Sequence, residues 1–305
     1  MTRTGELFEI SSGNRSAVIT EQGSGLFRLR WEGTELLEAV TDDGFGGYGC
    51  HGQILLPWPG RVAKGEYEHE GETYLLPIDD HTHGAAIHGW ARWATWQVKE
   101  RAADSLVMAY RMLAVQGYPF SFEFEQRYSW HPGFFEVLLE GTNIGERTAP
   151  IGYGAHPYFS LGAKTVDEME LVVPASSYVP VDSKLNPAGS PLPVEGTDFD
   201  FREGRRIGSS RLDVTLADVQ RDDEGRVNVR LTAPSTGVAL KLGYDEPVDY
   251  VQVFTGDTLP FARREGLAVE PYTCIPNAFN NKVGLSLVQP GGKFAVRWTV
   301  SAGDA

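Results

Sequence analysis

The chain has 305 residues, with 27 Lys and Arg against 41 Asp and Glu and a formal net charge of −14. This length suits one large all-β domain or two ordinary domains, and either could bury a large core. The acidic balance argues against nucleic acid or an anionic membrane as the main partner, because both require a basic face. It also disfavours a polyanionic substrate, although a local arginine cluster could hold one anionic group.

The ends and cysteines of the chain bear on its location. The N-terminal segment MTRTGELFEISSG has no apolar region of signal-peptide length, and no stretch approaches the ~20 apolar residues of a membrane span. We therefore expect a soluble, cytoplasmic protein. Cys50 and Cys274 form no CxxC pair, so neither a zinc ribbon nor a thioredoxin-like site is indicated. Two buried free thiols are the simpler interpretation, with a disulfide as the alternative.

The dominant hydrophobic period along the chain is two residues, which is the period of β-strands. Loops are predicted at 44–52, at the histidine-containing segment 79–89 and over the long excursion 181–208. Strands are predicted at 7–10, 17–20, 26–31, two within 65–77, 95–100, 106–113, 121–130, 134–143, 170–173, 226–232, 238–244, 250–254 and 293–301. Short strands joined by turns indicate a sandwich or barrel. We expect one continuous all-β domain over residues 1–305.

The stretch IGYGAHPYFS at 151–160 is the strongest candidate for a site. His156 stands between small residues and an aromatic pair, and Pro157 favours an extended backbone that holds the imidazole in one direction. Histidine is well suited to exchange a proton near neutral pH. A half-buried histidine satisfied by a backbone carbonyl is the ordinary alternative.

Two loops carry further polar candidates. In LLPWPGRVAKGEY, Arg61 follows Trp58 in a loop rich in Pro and Gly. A solvated arginine is the ordinary interpretation, but an arginine beside an aromatic ring also suits a sugar site. In AIHGWARW, His88 precedes a glycine and ends a short predicted strand. A lone histidine there would more often be structural than functional.

The C-terminal half adds three polar residues within apolar strands. In GLAVEPYTCIPNAF, Glu270 ends an apolar strand directly before a proline, where an unpaired carboxylate is costly to desolvate. Asp213 lies within the apolar alternation of SSRLDVTL, and Gln252 lies in YVQVFTG. Asp213 and Gln252 could be cross-strand polar pairs or the hydrogen-bonding floor of a pocket for hydroxyls.

Common catalytic motifs are missing from the sequence. It contains no HxxxH or HExxH, no GxSxG and no GxxxxGK[ST], so a metalloenzyme, a serine hydrolase and a P-loop enzyme are disfavoured. The candidate ligands for a metal site would be the histidines His51, His69, His81, His83 and His88.

Taken together and in order, these segments resemble the aldose 1-epimerases, or galactose mutarotases, over nearly the whole chain. The likeness is strongest to the bacterial branch that includes sulfoquinovose mutarotase-like proteins. The matching pieces are LLPWPGRVAKGEYEHEGETYLLP, AIHGWARWATW, GYGAHPYF, GTDFDFREGRRIG with SSRLD, YVQVFTG and GLAVEPYTCIPNAF.

The resemblance implies a β-supersandwich with an open cleft for a monosaccharide. It implies that His156 is the general acid and Glu270 the general base, with His88 assisting at the sugar. Arg61, Asp213 and Gln252 would bind hydroxyls, and the aromatic rings of Trp58, Tyr158 and Trp90 would pack on the C–H face of the sugar. Neither a metal nor an organic cofactor is required, and the protein would be a monomer or homodimer.

Three positions depart from the family pattern, which leaves the sugar undetermined. Gly60 replaces the Asn usual before the arginine, Trp90 replaces a second glycine after the first histidine, and Tyr272 replaces the Gln usual after VEP in galactose enzymes. Glu270 and His156 form a workable proton pair if the carboxylate keeps the imidazole protonated.

Two alternatives remain beside a mutarotase for a neutral hexose. One is a non-catalytic sugar-binding protein on the same scaffold. The other is a mutarotase for a phosphorylated or sulfonated sugar. Its anion could be held by Arg61, Lys64, Arg202, Arg205, Arg206, Arg263 or Arg264.

Overall fold

The fold is given by a computed structural model in which residues 4–38, 49–260 and 262–304 are described. Strands dominate these ranges. The first nine are β1 Leu7–Ser12, β2 Arg15–Thr20, β3 Leu26–Trp31, β4 Thr34–Glu35, β5 Ile54–Leu55, β6 Arg61–Ala63, β7 Glu66–His69, β8 Glu72–Leu75 and β9 Ala85–Ile87. The next nine are β10 Gln97–Arg101, β11 Ser105–Met112, β12 Phe122–His131, β13 Phe134–Asn143, β14 Ala149–Ile151, β15 Gly154–Ala155, β16 Tyr158–Phe159, β17 Glu170–Val172 and β18 Ala175–Tyr178.

The C-terminal part continues in the same way. Its strands are β19 Leu192–Pro193, β20 Arg205–Arg206, β21 Asp213–Val219, β22 Val227–Ala233, β23 Val238–Tyr244, β24 Tyr250–Phe254, β25 Leu267–Tyr272, β26 Ser286–Val288 and β27 Lys293–Asp304. The helical elements are 3-10 turns at Ala91–Trp93 and Val166–Glu168 and the α-helix α1 at Ala278–Asn281. Across the described ranges, no helix is long and apolar enough to cross a membrane.

Two antiparallel sheets contain most of the strands. A nine-stranded sheet has the order β10-β11-β12-β13-β27-β23-β22-β17-β20. An eight-stranded sheet has the order β19-β18-β21-β24-β25-β15-β5, with β16 also paired to β25. Smaller sheets are β1-β2-β3-β4, β14-β26, β6-β9 and β7-β8. The eight-stranded sheet and the β6-β9 pair position the site residues described below.

The core forms because alternate side chains of the long strands turn to the same side. In β27, Phe294, Val296, Trp298 and Val300 are buried while the residues between them are more exposed. Side chains from β1 to β27 join one continuous buried apolar cluster. The predicted all-β class is confirmed, and the extension of one domain over residues 1–305 stays a prediction.

Most long strands were predicted to within a few residues. The seven-residue strand β21 was indicated only by the apolar alternation around Asp213, and several short strands were missed. The predicted loop 79–89 contains β9, and the excursion 181–208 contains β19 and β20. Strands of two or three residues are too short to show alternation, and they form through pairing with distant segments. Residues 44–48 of the predicted glycine-rich loop lie outside the described ranges.

The prediction that a strand ends at Glu270 is wrong, because β25 continues through Pro271 to Tyr272. On one side β25 pairs with β24, and on the other it pairs with β16 at Ala268 and with β15 at Tyr272. The amide of Val269, two residues before the proline, points to this second side. The missing N–H of Pro271 therefore faces the gap between β15 and β16, where no ladder bond is lost.

Gly89 permits a close backbone crossing beside His88. It has φ +59°, and a Cβ there would lie 1.9 Å from the carbonyl oxygen of Leu56. Gly13 has a similar φ of +62° with open space around it.

We expect Gly89→Ala to lower the free energy of unfolding by at least about 2 kcal/mol more than Gly13→Ala, because only the former adds a backbone collision to the strain of a positive φ. Urea unfolding of both variants measures this difference. Equal losses would contradict the close crossing.

Candidate active site

The site centres on Glu270 in the middle of β25. Its side chain is almost fully buried, with 1% of the residue exposed, and Gln252 on β24 lies directly opposite. The carboxyl oxygen Oε2 has no hydrogen-bond partner among the described residues. A buried carboxyl group with a free oxygen is costly, so its position points to a function rather than to stability.

His156 lies in the gap between β15 and β16, the two short strands that flank the middle of β25. Its backbone is held by two bonds, from its amide to the Gln53 carbonyl at 3.1 Å and from the Gly52 amide to its carbonyl at 2.9 Å. Its Nε2 atom lies 3.5 Å from Oε1 of Glu270. The fold therefore brings together the two residues predicted as acid and base.

Burial shifts the proton balance of this pair. It raises the pKa of Glu270 well above 4.5, with the nearby Asp213 adding to the rise and the Tyr272 hydroxyl, which hydrogen-bonds the carboxyl group, opposing it. It lowers the pKa of His156 from 6.5 to about 3, with the positive charge of His51 adding to the fall. A proton shared by the pair in the free protein therefore lies on the carboxyl group. The expectation that glutamate keeps the imidazole protonated does not hold there, because desolvation outweighs that attraction.

His88 stands beside His156 with a defined tautomer. The two rings meet edge to face with centroids 5.6 Å apart, and the Gly60 amide donates to Nδ1 of His88 at 3.0 Å. Burial lowers the pKa of His88 well below 6.5, so the ring is neutral. A neutral imidazole that accepts at Nδ1 carries its proton on Nε2, which makes His88 a donor.

Arg61 is brought to the same region by the β6-β9 pair, in which it lies opposite Ile87, the residue before His88. Its Nε donates to Asp80 at 2.7 Å, and Asp80 also accepts from Nδ1 of His83. This arrangement occupies one edge of the guanidinium group and orients the two terminal nitrogens. His83, predicted only as a possible metal ligand, instead supports Asp80.

Gln252 lies in a row of polar groups across β21 and β24. Its Oε1 accepts from the Thr215 hydroxyl at 2.6 Å, and its Nε2 donates to Asp213 at 2.8 Å. Asp213 is the exposed end of the row, where solvent limits the desolvation that raises its pKa. The two predicted polar residues thus pair with each other across β21 and β24, and β24 is the strand next to Glu270.

The aromatic rings predicted to pack on the sugar are themselves packed against other side chains. Tyr158 is stacked between His51 and His156, with ring centroids at 4.0 Å and 4.9 Å. Trp58 lies in the main core against Trp90 and Phe279, and its indole Nε1 has no partner among the described residues. Direct packing of these rings on a sugar stays a prediction.

Three residues that support the site were not predicted as site residues: Asp80, Thr215 and Tyr272, the last of which was noted only as a departure from the family pattern. Tyr272 could have been found, because residues two apart on a strand share a face and Tyr272 follows Glu270 at that spacing. The contacts of Asp80 with Arg61 and of Thr215 with Gln252 join segments that are distant in sequence, which leaves no local signal.

The two cysteines and the candidate metal ligands were also predicted from the sequence. Both cysteines are free, and Cys274 is buried as predicted. Cys50 is only half-buried, because it lies in the turn before His51 rather than in a strand. Within the described ranges, no group of three or more His, Cys, Asp or Glu side chains is arranged to hold a metal ion.

A family model described as aldose 1-epimerase matches residues 6–301. The chain belongs to the aldose 1-epimerase family. Among curated relatives, the uncharacterized protein YihR of Escherichia coli K12 is 33% identical over 290 residues, covering 94% of this chain and 90% of YihR. The galactose mutarotase of Mus musculus is 23% identical over 256 residues, covering 77% of this chain and 73% of that protein.

Solved structures in the aldose 1-epimerase family share the fold. A GalM/aldose epimerase homologue from C. elegans has a TM-score of 0.88 at 19% identity, covering 98% of this chain and 99% of its own. Galactose 1-epimerase from Lactobacillus acidophilus has a TM-score of 0.82 at 18% identity, and the match covers 100% of this chain and 97% of that protein. At these identities the likeness concerns the fold alone.

We expect nitrogen-15 NMR of the histidine rings to find His88 neutral and protonated on Nε2 at pH 6, because the Gly60 amide occupies Nδ1. A His88→Gln variant assigns the resonance. A protonated Nδ1 at this pH would contradict the bond from Gly60.

Proposed function

We propose that this protein is an aldose 1-epimerase that interconverts the α and β anomers of a free hexose, with Glu270 and His156 as its proton-transfer pair. The observation that carries the proposal is the 3.5 Å contact between two buried titratable groups at the middle of the eight-stranded sheet. The family assignment supports a sugar epimerase, and the pair supplies the chemistry that such a reaction needs.

Mutarotation requires two proton transfers to the sugar. One group removes the proton from the anomeric hydroxyl while another protonates the ring oxygen, and the bond between C1 and the ring oxygen breaks to give the open-chain aldehyde. Rotation about C1–C2 presents the other face of the aldehyde. Ring closure then reverses both transfers, so the same two groups exchange the roles of acid and base.

The proton balance of the pair suits this cycle. For ring opening, the shared proton first passes from Glu270 to His156. Glu270 then takes the anomeric proton and His156 gives its proton to the ring oxygen, so the carboxyl group becomes protonated and the imidazole neutral again. That distribution is the one that burial favours, since it raises the pKa of Glu270 and lowers that of His156. The environment therefore stabilises the protonation state of the ring-opened intermediate relative to that of the bound ring.

The surrounding polar groups supply both donors and acceptors for sugar hydroxyls. His88 offers its Nε2 proton and Arg61 its terminal nitrogens, while Asp213 and Gln252 offer oxygen acceptors and amide protons. Sugar hydroxyls both donate and accept, so a mixed set fits a monosaccharide.

The identity of the preferred hexose is a separate question. The relatives include a mouse galactose mutarotase, yet YihR, at higher identity, is uncharacterized. Because Tyr272 contacts the carboxyl group of Glu270 where galactose enzymes usually have Gln, we expect the preference among hexoses to differ from that of those enzymes.

The charges of the candidate anion holders are partly offset, which favours a neutral sugar over an anionic one. Three of the arginines have carboxylate partners: Arg61 with Asp80, Arg202 with Asp200 and Arg264 with Asp257. Competition between glucose and a phosphorylated or sulfonated hexose tests this choice. Stronger inhibition of anomer exchange by the anionic sugar would favour the anionic alternative.

We expect Glu270→Gln and His156→Ala each to reduce anomer exchange by at least about two orders of magnitude, the usual contribution of one acid–base group. NMR exchange spectroscopy on glucose and galactose measures the rate above buffer. His69→Gln is the matched control, because His69 is a buried histidine hydrogen-bonded to the Thr148 carbonyl on another part of the fold. Near-normal activity in either site variant would refute the assignment of that residue, and sugar binding without acceleration by the wild type would favour the binding-protein alternative.

We expect Asp80→Asn to raise KM several-fold with a smaller change in kcat, because Arg61 loses the charged partner that orients it. Glu136→Gln is the control, since Glu136 holds Arg297 at 2.6 Å in a similarly buried pair on the other large sheet. Identical kinetics in Asp80→Asn and wild type would show that Arg61 needs no such support.

A further inference from the structure

A second buried acid–histidine pair lies near the proposed proton-transfer pair and takes no part in the chemistry above. Glu38 and His51 are 4% and 3% exposed, and His51 Nε2 lies 3.1 Å from Glu38 Oε2. Burying two titratable groups is costly unless they interact with each other. Their location beside the site makes a functional role the better explanation.

The ring of Tyr158 connects the two pairs. His51 stacks on Tyr158 with an interplanar angle of 21°, and His156 stacks on Tyr158 with an angle of 18°. The Tyr158 hydroxyl donates to the Gly49 carbonyl at 2.8 Å, which prevents the ring from sliding. The stack of His51, Tyr158 and His156 therefore fixes the position of the His156 imidazole on the side that faces Tyr158.

Backbone bonds tie the same segments together. The Glu38 amide donates to the Tyr158 carbonyl at 2.9 Å, and the Gly52 amide donates to the His156 carbonyl at 2.9 Å. Each partner of the second pair is thus anchored, directly or through the adjacent residue, to the segment that carries His156. If Glu38 or His51 were displaced, the imidazole of His156 would be displaced as well.

Gly266 leaves the space that this arrangement needs. A Cβ at this position would lie 2.7 Å from Glu38 Oε2 and 2.9 Å from the Cβ of Tyr158. Any larger residue would push the carboxylate away from His51 or the ring away from its stack.

We propose that Glu38 and His51 are positioning residues for His156 and act on it through the Tyr158 ring that lies between the two imidazoles. This inference rests on the proposed role of His156 in proton transfer.

The pair also has an electrostatic consequence. His51 opposes protonation of His156, whose pKa is lowered first of all by burial. Among the described residues, His51 contacts Glu38 and Tyr158. The titratable and charged groups that contact or act on His156 are Glu270, Tyr158, His51, His88 and Arg92.

The test is Glu38→Gln, which keeps the size of the side chain and removes its charge. We expect kcat to fall about tenfold with KM within about twofold, because a small displacement of a proton donor affects the transition state most. The acid limb of kcat/KM should move to higher pH, because a looser stack relieves part of the burial that lowers the pKa of His156. Gly266→Ala, which crowds Glu38 without removing a polar group, should lower kcat in the same way.

His69→Gln serves as the control for loss of a buried polar contact and should change neither kcat nor the acid limb. Unchanged kcat in Glu38→Gln, or an equal fall in the control, would overturn the inference. NMR titration of the His156 ring, labelled at Cε1 and assigned with a His156→Asn variant, tests the link between Glu38 and His156 without measuring activity. The titration midpoint of His156 should be higher in Glu38→Gln than in the wild type. An inactive wild type would refute the proposed function, whereas an active wild type with an unmoved His156 midpoint would refute this inference alone.

Discussion

The desolvation of one carboxyl group and one imidazole beside each other is the constraint on which the account depends. In water, Glu270 would be charged and His156 would titrate near neutrality. In the protein, burial raises the first pKa and lowers the second to about 3, so the pair keeps a single proton over a wide pH range. A pair with one mobile proton can both remove a proton from a sugar and return one, as anomer exchange requires.

The fold provides this site through an interruption in the eight-stranded sheet. Strand β25 is paired on one side along its length, but on the other it meets β16 and then β15 with a gap between them. His156 occupies this gap. Pro271 is tolerated in β25 because the position of its missing N–H faces the same gap. The neighbouring strand β24 and the β6-β9 pair supply further polar groups, so the residues of the proposed site are concentrated where ladder hydrogen bonding is incomplete.

Sequence alone predicted the all-β class, the long strands and the two residues of the central pair. The strands are predictable because alternation is a local signal. His156 and Glu270 could be singled out because each stands beside a proline in an apolar segment, and the structure places them 3.5 Å apart. Their roles as acid and base come from the family resemblance and stay a prediction. The two-residue strands β15 and β16 could not be predicted, since they exist only through pairing with β25. The location of the proton and the interaction of Glu38 with His51 also escaped prediction, because both depend on burial by distant segments.

The pH dependence of kcat/KM for anomer exchange by the wild-type protein shows whether His156 is desolvated, because this quantity reports the titration of the free protein. We expect a plateau that continues below pH 6.5, since the second proton adds to His156 only when its lowered pKa is approached. An acid limb with its midpoint near the ordinary histidine value of ~6.5 would show that His156 is not desolvated as described, and would contradict the shared-proton mechanism.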